Sequence, residues 1–202
     1  MKINYKINDL IEFENEIASI FNEGLIKAPV HLYSGNEQSI IDIFQQVQEI
    51  DWIFCSWRSH YQALLKGVPR ELVKANILEG KSIAQCFIDY KFYSSAIVGG
   101  NIPIALGVAQ GIKNRKSEEH VWCFVGDMTS ETGCFAENYK YALNYDLPIT
   151  FVFENNSKSV CTDTLKTWKT DKLTYGKNMD KIIYYEYENK YPHAGTGVRI
   201  QF

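Results

Sequence analysis

Two oxygen-bearing side chains stand out for what their positions allow. Asp127 follows the apolar run Val121 to Val125 through Gly126, and Asn156 follows a second run, Ile149 to Phe153, through Glu154-Asn155. A carboxylate and an amide oxygen meeting at one point suit a hard divalent cation such as magnesium. That ion takes few protein oxygens and completes its octahedron with phosphate and water. The plainer reading has Asp127 capping the next helix and Asn155-Asn156 merely turning the chain. Three further groups can do chemistry: His31 beside a Gly-Asn turn, and Arg58 and His60 in Trp57-Arg58-Ser59-His60. By residue type alone, His31 fits a surface loop, and Arg58 fits an ion-pairing arginine packed on an aromatic ring.

Whether Asp127 and Asn156 meet depends on the elements between them. Cys134 to Tyr145 places Phe135, Tyr139, Ala142 and Leu143 on one face at helical spacing. A helix between two short apolar strands is a βαβ unit, so the strands should run parallel. Both strand ends then lie at one carboxyl edge, where open α/β sheets bind ligands. Upstream, Asp9 with Glu12 reads as a capping box for a helix carrying Leu10, Ile17, Ile20 and Phe21 as far as Gly24. Ile40, Ile41, Phe44 and Val47 mark a second helix, Asp51 to Ser56 a strand, and Pro69 to Leu78 a helix with proline in its first turn. Another helix starts near Asn101. Its Ala105, Gly107, Ala109 and Gly111 admit close approach by the sheet or by another subunit. Residues 157–180 read as an exposed or partner-ordered loop, and Ile182 to Glu188 as a last strand. The expected fold is a three-layer α/β sandwich with a mostly parallel sheet, one domain over residues 1–202.

The bulk numbers narrow the function classes. A length of 202 residues suits one good core, and 46% hydrophobic with 22% charged residues is ordinary for a soluble globular protein. A formal charge of −3 lends no support to nucleic acid or an anionic membrane as partner. Thirteen tyrosines and eleven phenylalanines serve either a core or a surface that another chain covers. Five cysteines without a CxxC pair favour a reducing compartment over a disulfide framework. The N-terminus is too charged for a signal peptide, and Gly99, Gly100, Asn101 and Pro103 interrupt the best membrane-spanning candidate, so the expected location is the cytoplasm. Gly80-Lys81-Ser82 is no Walker loop, because Ala75 stands where the first glycine is needed.

Gly126-Asp127, Gly133, Glu137 and Pro148, ending in Glu154-Asn155-Asn156, resemble the thiamin diphosphate signature. The form is that of the alpha subunit in the decarboxylating component of 2-oxo acid dehydrogenases, within the transketolase-like superfamily. The likeness spans most of residues 31–162. It implies that magnesium is held by Asp127, Asn156 and the backbone carbonyl of Lys158, with Gly126, Met128 and Thr129 beside the cofactor. Met128 replaces a family glycine, so its side chain must point away. The resemblance also implies that Trp57 and Arg58 bind the diphosphate, where the planar arginine fork matches phosphate oxygens. His31 and His60 are implied near the substrate as acid–base groups, and the Ala96 backbone and Val98 under the aminopyrimidine ring. The family usually has glycine at Ala96 and a histidine where Ala84 stands. His193, in Pro192-His-Ala-Gly, is out of register with the family's histidine-bearing loop and is left unassigned.

The activity implied is decarboxylation of a 2-oxo acid with transfer of the acyl unit, an oxidoreductase component whose hard chemistry belongs to its cofactor. The family also needs a glutamate on a pyrimidine-binding domain, and such a domain takes on the order of 100 residues or more. The expected partner is therefore a separate pyrimidine-domain, beta-type chain in a heterotetramer. One alternative is transketolase-like carbon–carbon bond making or breaking on a ketose or keto substrate, which the short segment after Asn156 keeps open. Another is a binding subunit without catalysis. A nucleotide-binding domain is disfavoured by the lack of a glycine-rich dinucleotide fingerprint.

Overall fold

The computed structural model describes residues 4–200. Its first helix, α1 (Ile7–Asn22), buries Leu10, Phe13 and Ile17 on one stripe. The helix starts earlier than a cap at Asp9 requires. Asp9 Oδ2 accepts the Lys6 backbone N–H at 2.7 Å, so Asp9 sits inside the first turn and reaches back to its start. Next, α2 (Glu37–Phe44) buries Ile40, Ile43 and Phe44; Ile41 is only half-buried, and Val47 is buried beyond the helix end. Strand β1 (Trp52–Cys55) leads to α3 (His60–Leu65) and α4 (Arg70–Asn76), with Pro69 just before α4 rather than inside it. A wide turn over Ile77–Lys81 follows α4 and breaks from helical geometry at Gly80. Gly80 has φ +81°, and a side chain there would crowd Ala28 at 3.0 Å, which accounts for the glycine without any phosphate loop.

Short strands β2 (Cys86–Phe87) and β3 (Phe92–Ser94) precede α5 (Asn101–Asn114) and β4 (Val121–Gly126). Then come α6 (Asp127–Ser130), α7 (Gly133–Asn144) and β5 (Ile149–Asn155). The expected loop contains a hairpin, β6 (Lys158–Ser159) with β7 (Thr162–Asp163), and a short α8 (Thr164–Trp168), before β8 (Ile182–Glu186). The main sheet has the order β2-β3-β1-β4-β5-β8, parallel throughout except for β2 at the edge.

Alternation along the strands builds the two outer layers. Trp122, Phe124 and Val152 face α1 to α4, while Val121, Cys123, Val125, Phe151 and Phe153 face α5 and α7. This is the expected three-layer α/β sandwich. On α5, Ala105 and Ala109 lie fully buried against the sheet, whereas nothing comes within 4 Å of a Cβ built on Gly107. None of the described helices is long and apolar enough to cross a membrane.

Phe135 on α7 ties the second layer to the sheet, meeting Phe151 and Phe153 edge-on at 5.2 and 5.0 Å between ring centres. It is fully buried. Phe135→Ala should therefore destabilise the chain by about 3–5 kcal/mol, through lost transfer energy and the cavity left behind. Urea denaturation with an unchanged m-value checks this, and a loss under ~1 kcal/mol would mean the layer repacks.

Candidate functional site

Chain order along the sheet reverses at β1. From β1 the chain goes to the edge strand β2 and comes back through β3 on the same side of β1, then crosses to the other side of β1 for β4, β5 and β8. The loops after β1 and β4 therefore diverge at a topological switch point, the place where open α/β sheets leave a crevice. Trp57-Arg58 follows β1, and Gly126-Asp127 follows β4. A small cleft there is lined by Trp57, Arg58, Gly126, Met128, Thr129 and Asn156 among others. Two larger cavities flank it. One, of about 520 Å³, shares Trp57, Arg58, Asn156 and Lys158 with it and adds His193. The other, of about 720 Å³, is lined by Asp127, Asn155, Thr164, Tyr184 and Lys177 among others.

Asp127 opens α6 and is 1% exposed. Its Oδ2 accepts the Thr164 hydroxyl at 2.5 Å, while its Oδ1 is buried with no hydrogen-bond partner. Burial pushes its pKa up; the Thr164 hydroxyl and the backbone N–H groups of Asp127 and Asn156 oppose the rise. Those N–H groups face the carboxylate without closing a hydrogen bond to Oδ1. An unpartnered buried carboxylate oxygen is costly, and a cation is one group that relieves it. Asn156 lies two positions past Glu154, which pairs with Gly126 across β4 and β5. Its Oδ1 accepts the Lys158 N–H at 3.2 Å. Among the described residues no three His, Cys, Asp or Glu side chains form a metal cluster, so a cation here would rest on one carboxylate with amide and carbonyl oxygens. Met128 is turned toward α8, where the Trp168 indole N–H reaches its sulfur at 3.1 Å. The backbone beside Gly126 is thereby left clear of that side chain.

Arg58 is 9% exposed and partly committed: its Nε donates to the Leu32 carbonyl at 3.0 Å. One terminal nitrogen lies 3.5 Å from the His193 carbonyl. Its guanidinium lies 5.7 Å from the centre of the Tyr33 ring, within cation–π range. The group is thus oriented by the protein yet lines the small cleft and the cavity of about 520 Å³ beside it. His31 is 6% exposed and packs against His193 and Trp57 at 4.4 and 6.1 Å between ring centres. Its Nδ1 bonds the His193 carbonyl; a carbonyl only accepts, so Nδ1 carries the proton and Nε2 keeps its lone pair. Burial lowers the His31 pKa to about 4, with the His193 carbonyl opposing.

His60 sits elsewhere. It is fully buried between Glu14, whose Oε2 accepts from Nδ1 at 3.0 Å, and Ser82 Oγ, 2.9 Å from Nε2. It lines none of the three cavities. The structure does not bring it to the edge with Arg58; it ties α1, α3 and the segment after α4 together. Ala96 and Val98 follow β3 at the same carboxyl edge but line none of these cavities either. Ile97 and Val98 are 69% and 49% exposed.

Four residues enter the site to which the sequence assigned no role there. His193 returns from the far end of the chain to cover His31, a contact across 162 positions. Thr164 holds Asp127. Glu154 and Tyr33 form a buried pair beneath Arg58: Tyr33 Oη is 2.9 Å from both the Arg58 carbonyl and Glu154 Oε1. Glu154 also accepts from Tyr185 and Gln62, and burial still pushes its pKa up to about 7. Glu154, the first residue of Glu-Asn-Asn, and His193, in Pro192-His-Ala-Gly, carried a sequence signal; Thr164 and Tyr33 carried none.

Fold and site together define an open α/β-sheet protein with its candidate site at the switch point. A family model described as the dehydrogenase E1 component matches residues 5–183, and the chain belongs to that family. It is 28% identical over 167 residues to the alpha subunit of acetoin:2,6-dichlorophenolindophenol oxidoreductase from Bacillus subtilis (strain 168), covering 78% of this chain and 50% of the relative. The pyruvate dehydrogenase E1 component subunit alpha of Porphyra purpurea is 30% identical over 165 residues, covering 73% of this chain and 48% of that protein. A solved structure of a putative thiamin diphosphate-dependent enzyme from Mycobacterium smegmatis overlaps 65% of this chain and 22% of its own, at 16% identity and a TM-score of 0.45. The chain spans about half the length of the curated relatives it matches.

The His31 environment makes a pH prediction. Its folded pKa lies below the unfolded one, so between about 4 and 6.5 the unfolded chain binds the extra proton. Stability from this group is therefore present above the unfolded value and is lost as pH falls toward 4. His31→Gln should flatten that part of the stability–pH curve, and the His31 imidazole should titrate near 4 by NMR. A midpoint near 6.5 in the folded chain would refute the buried, neutral assignment.

Proposed function

We propose that this chain binds magnesium and thiamin diphosphate at the switch point and acts as the alpha-type part of a 2-oxo acid dehydrogenase E1 component. The observation that carries the reading is Asp127 Oδ1, a buried oxygen without a partner beside Asn156 in a member of this family. Asp127, Asn156 and the Lys158 carbonyl would hold the ion, and Arg58 with the backbone at Gly126 to Thr129 would receive the diphosphate. Thiamin diphosphate, when bound, supplies a carbon nucleophile for the 2-oxo acid carbonyl and takes up the electrons left when carbon dioxide departs. The protein's own part is positioning and hydrogen bonding. Arg58, fixed through Nε on Leu32, presents a pre-set fork to phosphate oxygens. His31, its tautomer set by the His193 carbonyl and its pKa lowered to about 4, stays neutral at neutral pH and keeps the Nε2 lone pair as a hydrogen-bond acceptor. Trp57 and His193 wall the neighbouring cavity with rings, and His31 packs against both of them.

The remaining surface fits completion by a pyrimidine-domain, beta-type chain in a heterotetramer. The names of the matched relatives, subunits alpha, support this, as do the exposed Ile97 and Val98 at the carboxyl edge. The cytoplasm is the proposed location, on the cysteine pattern alone.

Substitutions at two positions test the reading by calorimetry on the chain assembled with its partner. Asp127→Ala should abolish most magnesium-dependent cofactor affinity, because an ionised ligand to the cation is gone. Wild-type binding by that variant removes the metal assignment. Arg58→Lys should weaken cofactor binding by a measurable fraction and Arg58→Ala by more, since the lysine keeps charge but not the bidentate fork. Unchanged affinity in both would reduce Arg58 to a support for Leu32 and Tyr33.

A further inference from the structure

Thr164 is fully buried, the first residue of α8, and more than thirty positions from the carboxylate it touches. Its hydroxyl donates to Asp127 Oδ2 at 2.5 Å, and its backbone N–H donates to the Ser157 carbonyl at 3.2 Å. Ser157 lies between Asn156 and Lys158. One residue therefore grips both arms of the site: the side chain after β4 and the backbone after β5.

We propose that Thr164 is a positioning residue for the metal site, holding Asp127 Oδ2 so that Oδ1 is aimed at the cation and fixing the Asn156–Lys158 arm at the matching distance. The inference rests on the magnesium reading of Asp127 given above. Thr164 can do this because it is itself fixed. The hairpin pairs Lys158 with Asp163 and Ser159 with Thr162, folding the chain back so that position 164 returns to Asp127. Asp163 then caps α8, its Oδ1 accepting the Lys166 N–H at 2.8 Å. A neutral donor is the right chemistry for the task. A lysine or arginine at this place would cancel the charge the cation needs, whereas a hydroxyl restrains the carboxylate and leaves its charge in place. Donors in this role around metal ligands contribute about tenfold to a hundredfold in metal affinity.

The test is a manganese titration, followed by electron paramagnetic resonance, of the chain assembled with its partner in excess thiamin diphosphate, with manganese standing in for magnesium. Thr164→Val removes the hydroxyl at nearly constant shape and should weaken manganese binding by about tenfold to a hundredfold. Thr164→Ser keeps the donor and should stay within about threefold of wild type, with Thr164→Ala matching valine should the valine variant misfold. Equal loss in the serine and valine variants would overturn the proposal, because the hydroxyl would not be the cause. Wild-type affinity in the valine or alanine variant, with Asp127→Ala abolishing binding, would overturn it and leave the metal reading standing. Wild-type affinity in Asp127→Ala, or no saturable binding by the wild-type assembly, would remove both.

Discussion

Parallel pairing of β4 with β5 is the constraint on which the candidate site depends. The two strands register from Val121 opposite Ile149 to Gly126 opposite Glu154. Because both faces of the pair are buried, this register is strongly specified. A slip of one residue would turn Phe151 and Phe153 away from α7 and Val152 away from α2. It would also displace Asn156 along the strand by about 3.3 Å, beyond any shared coordination with Asp127. The core thus sets the geometry of the polar edge. The crossover α7 enforces the parallel sense, and Phe135 holds α7 on the sheet.

Behind the edge lies a second layer of buried polar groups that hold loops without facing a cavity. Glu14 accepts from His60 on one side and from the Tyr33 backbone N–H at 3.1 Å on the other. It therefore links the His31–Ser34 segment to the Trp57–His60 segment through α1. Buried ionisable pairs are weak evidence for stability, since desolvation offsets much of the attraction. Their effect here is geometric. Leu32, whose carbonyl orients Arg58, and Tyr33, whose hydroxyl lies beside the Arg58 carbonyl, belong to the segment that Glu14 anchors. His60 contributes to the shape of the loop that carries Arg58, acting from the core.

The layers and the parallel sheet were legible because hydrophobic periodicity is a local property, and residues 121–156 carry it without interruption. Boundaries were less legible. Asp9 looked like a cap, but α1 begins at Ile7, because a carboxylate in the first turn satisfies the preceding N–H as well as a cap would from outside. Asp127 and Asn156 could be paired from the βαβ rule, and Arg58 could be placed after β1. The rest of the site is assembled by long-range contacts that leave no pattern in a single sequence. Thr164, Tyr33 and His193 reach their partners only after the hairpin, the α1 layer and the final segment have folded. The lysine- and threonine-rich stretch read as a loop for the same reason: its order comes from one buried hydroxyl and a two-strand hairpin, neither of which has a period.

That hairpin also holds backbone strain. Ser157 and Val160 both have positive φ, at 62° and 56°, and Val160 is a β-branched residue in a region such residues avoid. Two-residue hairpin turns favour positive φ and normally recruit Asn or Gly for it. Strained positions of this kind cost on the order of 1–3 kcal/mol each and persist where the surroundings over-determine them. At Ser157 the surroundings are Asn155, whose Oδ1 accepts the Ser157 N–H at 2.8 Å, and Thr164, whose N–H binds the Ser157 carbonyl; Val160 sits in the two-residue turn itself. The strain and its two restraints converge on the residues flanking the Lys158 carbonyl. A loop selected only for connection would relax with a glycine at position 160. Keeping valine there, half exposed at the mouth of the cavity that Arg58 and His193 line, places an apolar side chain where the site opens to solvent.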